Sequence, residues 1–173
     1  TITSMSGSLM HDYVLDTIRD TSKEFCMLDE LQDKVGEKIA EMTHAESATV
    51  TSGAFSALTL GMAGILTGMD LENVERLPHL EGSGMKSEVI IQNNHKIHYN
   101  HALLNCGVKL IYVETPEDVD RAVNENTASM HFLGSALLQG QINYEDWIAL
   151  SKRHNLPATI DIAANIPPVE NIW

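Results

Sequence analysis

Residues that could take part in chemistry lie at three separated places along the chain. The first is Thr51-Ser52-Gly53-Ala54, between a short β-prone segment and a helix of small residues. The first N–H groups of a helix lack partners and the helix dipole is positive there, so this junction suits a phosphate group. Gly53 would let a ligand approach the backbone, and Ser52 could add a hydroxyl donor. A tight turn before a helix is the alternative, and the motif alone is a weak signal.

The second place is Asp161, which closes the last predicted strand and is followed by Ile162-Ala163-Ala164. A carboxylate at the carboxyl end of a parallel strand lies at the edge where such sheets bind ligands. There it could pair with a cation such as a protonated pyridine nitrogen. The small side chain of Ala163 would let a flat ring lie against the backbone. An aspartate that caps the next turn is the alternative reading, and it would be preferred if Asp161 stood alone.

The third place contains three histidines, His95, His98 and His101. On a helix a spacing of three spreads these side chains over about 240 degrees, so they cannot all face one ion. No nearby carboxylate completes a ligand set, and we predict no metal site. His95 follows a predicted strand, where its imidazole could stack on an aromatic ligand. We expect His98 and His101 on a partly exposed helix face.

The elements that must position these residues alternate between helical and strand patterns, which is typical of βαβ units. The sequence therefore predicts an α/β fold with a mainly parallel sheet and flanking helices. Residues 67–86 are rich in Gly, Pro and charge and are expected to form a long loop with one helical turn. Helices are predicted over residues 12–25, 28–42, 55–66, 98–105, 116–123 and 144–154, and strands over 48–51, 89–91, 109–113, 127–133 and 157–162.

Composition limits the class of protein. The chain has 173 residues, of which 43% are hydrophobic and 20% charged, as in a soluble globular domain. Its net charge of −13, with scattered basic residues, argues against a nucleic-acid partner because phosphate contacts need clustered Lys and Arg. Cys26 and Cys106 lack metal-type spacing and indicate a reduced, cytoplasmic protein. No apolar run reaches the roughly 20 residues needed to cross a bilayer, so no membrane association is expected.

Taken in order, these motifs resemble the N-terminal half of a fold-type I pyridoxal 5'-phosphate (PLP) enzyme. The resemblance is strongest to the selenocysteine-synthase-like (SelA-like) group, which includes L-seryl-tRNA selenium transferase-related and D-glucosaminate-6-phosphate ammonia-lyase-like proteins. Each motif is modest, but their order and spacing together are fairly specific. The matching stretches extend over nearly the whole chain and comprise residues 7–10, 28–42, 48–60, 84–91, 95–107 and 160–168.

The resemblance implies how a cofactor would be bound. In such enzymes the turn that joins a strand to a helix through Ser-Gly holds the phosphate, here through the Gly53 and Ala54 amides and the Ser52 hydroxyl. The residue after the next strand stacks on the pyridine ring, which matches His95. The aspartate that closes a later strand pairs with the ring nitrogen, which matches Asp161, and Ala163 would pack on the opposite ring face. The implied PLP-binding residues are Ser52, Gly53, Ala54, His95, Asp161 and Ala163.

The resemblance also implies an activity and an assembly. A complete relative would abstract the proton α to an amine and then eliminate or replace a group at the β-carbon. The expected protein is therefore a PLP-dependent lyase or transferase acting on an amino acid or amino sugar acid. It would form a homodimer or a larger homo-oligomer in the cytoplasm. Residues 1–173 are expected to be an incomplete PLP-binding large domain.

The sequence departs from the family pattern at one point that matters for mechanism. Family members form a Schiff base with a lysine well beyond the aspartate, and no lysine here matches it: Lys86, Lys96 and Lys152 all precede Asp161 in other contexts. No catalytic residue is therefore identified, and this chain alone is expected to be inactive. Two alternatives stay open, namely a non-catalytic, degenerate binding or scaffold protein of the same fold, and an unrelated α/β protein that binds a phosphate-containing ligand.

Overall fold

The computed structural model describes residues 7–166 and 168–172, so Pro167 in the last matching stretch lies outside the described residues. The chain divides into two compact units, residues 1–50 and residues 51–173, which are described separately. The first unit contains helices α1 (Asp12–Thr21) and α2 (Leu28–Thr43), as predicted. In α2 the buried residues are Gly36 and Ala40.

The segment after α2 corrects one prediction. Residues 48–51 were expected to form a strand, but they have no strand conformation, and the prediction is wrong. A short β-prone run becomes a strand only where a neighbouring strand can pair with it. Here the Gln32 side chain instead donates a hydrogen bond from Nε2 to the Val50 carbonyl oxygen, 3.2 Å away. Gly36 lies so close to the carbonyl oxygen of Ala48 that a side chain at position 36 would overlap it.

The second unit is built on a four-stranded parallel sheet with the order β2-β1-β3-β4. The other four predicted strands are all found. Their bounds are β1 (Glu88–Gln92), β2 (Lys109–Val113), β3 (Thr127–Leu133) and β4 (Ala158–Asp161). The central strand β3 is buried along its whole length. The pairing of β1 with β3 shifts after Glu88, where a bulge places Ala128 and Ser129 on the same side of the sheet.

Helices cover both faces of this sheet, which is why its strands are rich in apolar residues on both sides. Helices α3 and α5 pack with Val89 and Ala128 on one face, called here the α3 face. Helices α6 and α7 pack with Ile90 and Phe132 on the opposite face, called the α7 face. A capping box at Thr115 begins α6, which corresponds to the helix predicted over residues 116–123. The bounds are α3 (Ala54–Thr67), α4 (Leu71–Arg76), α5 (His101–Leu104), α6 (Pro116–Ala122) and α7 (Tyr144–Arg153).

The connections leave the sheet in opposite directions from two neighbouring strands. The chain leaves β1 toward the α3 face, where α5 packs, whereas it leaves β3 toward the α7 face. Such a reversal opens a crevice at the carboxyl ends of the two strands, where α/β proteins bind ligands. The topology therefore predicts a ligand site among the residues at the carboxyl ends of β1, β3 and β4.

Two of the helical glycines, Gly36 in α2 and Gly64 in α3, provide a matched test of packing. Replacing Gly64 with Ala should raise the free energy of unfolding by up to about 1 kcal/mol, because nothing lies within 4 Å of the new Cβ and Ala favours helix. Replacing Gly36 with Ala should instead lower it by about 1–3 kcal/mol, because the methyl group overlaps the Ala48 carbonyl oxygen. Urea unfolding followed by circular dichroism measures both changes, and equal effects of the two substitutions would contradict the close approach.

Candidate functional site

A cavity of about 460 Å³ opens on the α3 face beside the end of β4. This volume lies within the range of about 300–1,000 Å³ that is typical of small-molecule sites. One wall is a single face of α3, with residues spaced by three and four and mostly small. The other wall is β4 and the turn after it. The lining residues are Ala54, Ala57, Leu58, Gly61, Met62, Leu103, Thr159, Ile160, Asp161, Ile162, Ala163 and Ile166.

The start of α3 forms one end of this cavity. Gly53 precedes the helix with φ of +94°, a backbone conformation that residues with a Cβ rarely adopt. Its own N–H donates to the Thr51 carbonyl oxygen at 2.8 Å, whereas the N–H of Ala54 belongs to the first turn, where no helical partner exists. No side chain caps this helix. Ser52 and Gly53 are exposed directly before it.

Asp161 lies at the opposite wall of the same cavity. Its Oδ1 accepts a hydrogen bond from the Ala163 N–H at 2.9 Å, so the carboxylate also caps the turn that follows β4, as the alternative reading of the sequence suggested. In the described part of the chain no other hydrogen bond to this half-buried carboxylate is formed. Its second oxygen is thus available to a cation in the cavity. The structure therefore brings Ala54, Asp161 and Ala163 together around one space.

Two residues beside Asp161 were not identified from the sequence. Thr159 lies two positions before Asp161 on β4 and shares its face of the sheet, a relation that the period of two could have indicated. Behind Thr159 lies His131 on β3, which is 1% exposed and whose Nδ1 is 2.9 Å from the Thr159 hydroxyl oxygen. Burial lowers the pKa of His131 to about 4, against the opposing effect of the Asp161 charge. The imidazole behind the cavity wall is therefore neutral at physiological pH.

The structure places His95 away from this cavity. Its ring is completely buried and packs edge-on against Phe132, with ring centroids 4.5 Å apart. The Phe132 side chain belongs to the core on the α7 face, whereas the cavity opens on the α3 face. Of the predicted cofactor-binding residues, His95 is thus the one that the fold separates from the others, because the turn after β1 directs its ring into the interior.

Charged and metal-binding groups around the site are sparse. No lysine lines the cavity: Lys152 is on α7, which packs on the other face, and the Lys96 ammonium lies 5.2 Å from the centre of the Tyr112 ring. Within residues 7–166 and 168–172, no group of three His, Cys, Asp or Glu side chains could hold a metal ion. His98 and His101 are exposed. None of the described helices is long and apolar enough to cross a membrane.

Comparison with known proteins identifies the class of fold first. The chain has the aminotransferase-like α/β fold. It superimposes on D-glucosaminate-6-phosphate ammonia-lyase with a TM-score of 0.84 and 24% identity, over 92% of this chain and 46% of that one. Aspartate aminotransferase from Thermotoga maritima matches with a TM-score of 0.54 and 17% identity, over 86% of this chain and 41% of that one.

The sequence comparison gives more specific relatives. D-glucosaminate-6-phosphate ammonia lyase of Salmonella typhimurium is 25% identical over 94% of this chain and 47% of its own length. The 5'-C-glycyluridine monooxygenase-decarboxylase of a Streptomyces species is 26% identical over 93% of this chain and 43% of its own. No family model matches the sequence. The predicted resemblance to fold-type I PLP enzymes is confirmed, and the chain spans about half the length of the relatives it matches.

The buried His131 generates a pH prediction. Between pH 6.5 and about 4 the unfolded chain binds a proton at this residue and the folded chain does not, so stability is lost as the pH falls through this window. The contribution is about 3 kcal/mol for the full shift. Urea unfolding between pH 7 and pH 4.5 should show this loss in the wild type and in His98→Asn, but a smaller loss in His131→Asn. An NMR titration in which His131 protonates near pH 6.5 would contradict the assignment.

Proposed function

We propose that this chain forms the PLP-binding part of a lyase or transferase that acts on an amino acid or amino sugar acid. One observation carries the proposal: the uncapped start of α3 and the carboxylate of Asp161 border the same cavity. An anion-binding end and a cation-binding end on opposite walls match a ligand that has a phosphate at one side and a basic ring nitrogen at the other. The sequence relatives, an ammonia lyase and a monooxygenase-decarboxylase, are both enzymes.

The phosphate would be held at the start of α3. The Ala54 amide and the Ser52 hydroxyl would donate hydrogen bonds to it, and the helix dipole adds a favourable charge interaction. Gly53 contributes by its conformation and its missing side chain, because no atom lies within 4 Å of where a Cβ would stand. The amide of Gly53, which already donates to Thr51, would contribute less than the sequence suggested.

The ring would lie between α3 and the turn after β4. Ala57 and Gly61 are one turn apart on the cavity face of α3 and leave room for a flat ring, and Ala163 would support its opposite side. Asp161 would pair with the ring nitrogen and keep it protonated. When bound, the cofactor supplies an electron sink for abstraction of the proton α to the substrate amine. The residues of this chain would then bind and orient the cofactor, while the Asp161 carboxylate accepts a hydrogen bond from the protonated ring nitrogen.

The covalent lysine of such enzymes would come from outside the residues around this cavity. Lys152 on α7 is separated from it by the sheet, and Lys96 is engaged over Tyr112. Lys86 and Lys109 lie near the amino ends of β1 and β2, opposite the carboxyl ends where the site is. Residues 1–173 are accordingly proposed to be part of a PLP-binding large domain whose reaction needs further residues.

The protein is proposed to be a homo-oligomer in the cytoplasm, and exposed apolar side chains of the first unit support the oligomer. Helices α1 and α2 of the first unit leave a series of large apolar side chains exposed, and large exposed apolar patches mark interaction surfaces. The acidic balance of the chain favours a small-molecule amino substrate over a tRNA-bound one. Within residues 7–50 the large exposed apolar residues are Leu9, Met10, Tyr13, Leu15, Ile18, Phe25, Met27, Leu28, Leu31, Met42 and Val50.

Replacing Asp161 with Ala tests the proposal directly. The full-length protein should bind PLP and develop an absorbance band in the visible range. The Asp161→Ala variant should bind about 10–100-fold more weakly, because a hydrogen bond to a charged group is worth about 1.5–3 kcal/mol. Affinity is measured by spectroscopic titration with PLP.

The exposed His98→Ala variant is the control and should bind like the wild type. Equal losses in the two variants would contradict the site assignment. Absence of PLP binding by the full-length protein, with binding of inorganic phosphate retained, would favour the unrelated phosphate binder. PLP binding without turnover of any amino acid would favour the non-catalytic form.

A further inference from the structure

Two buried polar side chains lie at the carboxyl end of β1, where the sheet topology opens its crevice. Gln92 ends the strand and is 1% exposed, and His95 follows in the next turn and is fully buried. Burying such groups is costly unless every donor and acceptor finds a partner. Apart from the contact between Gln92 Nε2 and His95 Nε2, which are 3.4 Å apart, the partners of these two side chains lie in one segment, residues 133–142. This segment begins at the end of β3 and leads toward α7.

Gln92 binds the far end of this segment through both atoms of its amide. Its Nε2 donates to the Ile142 carbonyl oxygen at 2.9 Å, and its Oε1 accepts from the Ile142 N–H at 3.1 Å. Gly140 lies against the same side chain with φ of +97°, and a Cβ there would come within 2.5 Å of Oε1. The fit therefore depends on glycine at position 140 for both conformation and space.

His95 binds the beginning and the middle of the segment. Its Nδ1 accepts from the Leu133 N–H at 3.2 Å, which requires this nitrogen to be unprotonated. The neutral ring then carries its proton on Nε2, which is 3.3 Å from the Gln139 carbonyl oxygen. Burial lowers the pKa of His95, which favours this neutral form. The turn that carries the ring is itself held, because Asn100 donates from Nδ2 to the His95 carbonyl oxygen at 3.0 Å.

The held segment also contacts the end of β4, where Asp161 is the last residue. Gly134 directly follows Leu133, and a Cβ at position 134 would lie 2.9 Å from the Asp161 carbonyl oxygen and 2.8 Å from Asn165 Oδ1. The segment is thus packed tightly between the end of β1 and the turn after β4. A shift of the segment at Gly134 would therefore displace the backbone of Asp161 and the turn that follows it.

We propose that His95 is a positioning residue that, together with Gln92, fixes residues 133–142 and, through Gly134, the end of β4 at Asp161. In this role its ring does not stack on the cofactor. The inference deepens the proposed function. Its effect on PLP binding rests on that function, whereas the hydrogen bonds to residues 133–142 exist in the protein without a ligand. The proposal also gives Gln92 an influence on the cavity on the α3 face, although Gln92 does not line that cavity.

Three substitutions in the full-length protein separate this role from ring stacking. His95→Phe keeps an aromatic ring and loses both hydrogen bonds, Gln92→Leu removes the bonds to Ile142, and Gly140→Ala disturbs the same contact from the exposed side. His98→Phe, the same change on an exposed residue, is the control. Hydrogen exchange of the Leu133 and Ile142 amides, measured without cofactor, reports on the segment, and spectroscopic titration with PLP reports on the cavity.

We expect the hydrogen exchange of the segment and the affinity for PLP to change together. Exchange at Leu133 should rise about tenfold or more in His95→Phe, and exchange at Ile142 should rise likewise in Gln92→Leu and Gly140→Ala. PLP affinity should fall about tenfold in all three variants and stay unchanged in His98→Phe. If a buried variant does not fold, Gly140→Ala still tests the coupling, because residue 140 is itself exposed and only the new Cβ presses on Gln92.

Two outcomes would overturn the inference. In the first, His95→Phe leaves exchange and PLP affinity as in the wild type. In the second, Gln92→Leu and Gly140→Ala raise exchange at Ile142 without weakening PLP binding, which would disconnect the segment from the cavity. Failure of the proposed function is a separate result: the wild type would then not bind PLP, while the exchange measurements would still show whether Gln92 and His95 hold the segment.

Discussion

The burial of β3 along its whole length is the constraint on which the second unit depends. Helices cover both sides of this strand, so each polar group it carries must find a partner inside the protein. Ser129 turns its hydroxyl to the Met62 sulfur, His131 pairs with Thr159, and the N–H of Leu133 is met by His95. Two of these contacts, those of His131 and Leu133, lie in the carboxyl half of the strand, toward the candidate site.

This constraint links the two neighbours of β3. The pairing with β1 extends as far as Ile91 and His131, so the ladder stops two residues before Leu133. The N–H of Leu133 therefore donates to the His95 side chain instead of to a residue of β1. On the other side the pairing with β4 continues to Leu133 and Asp161. The end of β3 therefore meets a side chain on one side and the candidate cofactor carboxylate on the other.

Much of this architecture could be predicted from the sequence because it rests on local signals. The strand patterns of β1 to β4 and the helical pattern over residues 116–123 each determine their element within a few residues. The junction before α3 and the aspartate at the end of β4 were also identified locally, and the fold brings them to one cavity. The strand predicted at residues 48–51 failed for the opposite reason, since a strand exists only with a partner and local β propensity cannot supply one.

The roles of His95 and His131 required information that no local pattern contains. His131 lies behind Thr159 because of the register between β3 and β4, and neither residue alone indicates that register. For His95 the position after β1 was correctly recognised, but the direction of its ring depends on where residues 133–142 pass. Those residues have no regular periodicity beyond one short turn, so their course is decided by the buried amide of Gln92 and the space at Gly140.

The electrostatics of the cavity suggest why so acidic a chain could bind a phosphate-bearing cofactor without a basic residue on its wall. The helix start supplies partial positive charge from backbone groups that cannot be titrated, and Asp161 supplies a full negative charge at the other wall. A ligand with a phosphate and a protonated ring nitrogen is favoured in one orientation and disfavoured in the reverse, because reversal places phosphate against carboxylate. In the proposed binding mode the position of Asp161 would determine orientation as well as affinity, and the packing of the end of β4 against Gly134 would keep Asp161 in place.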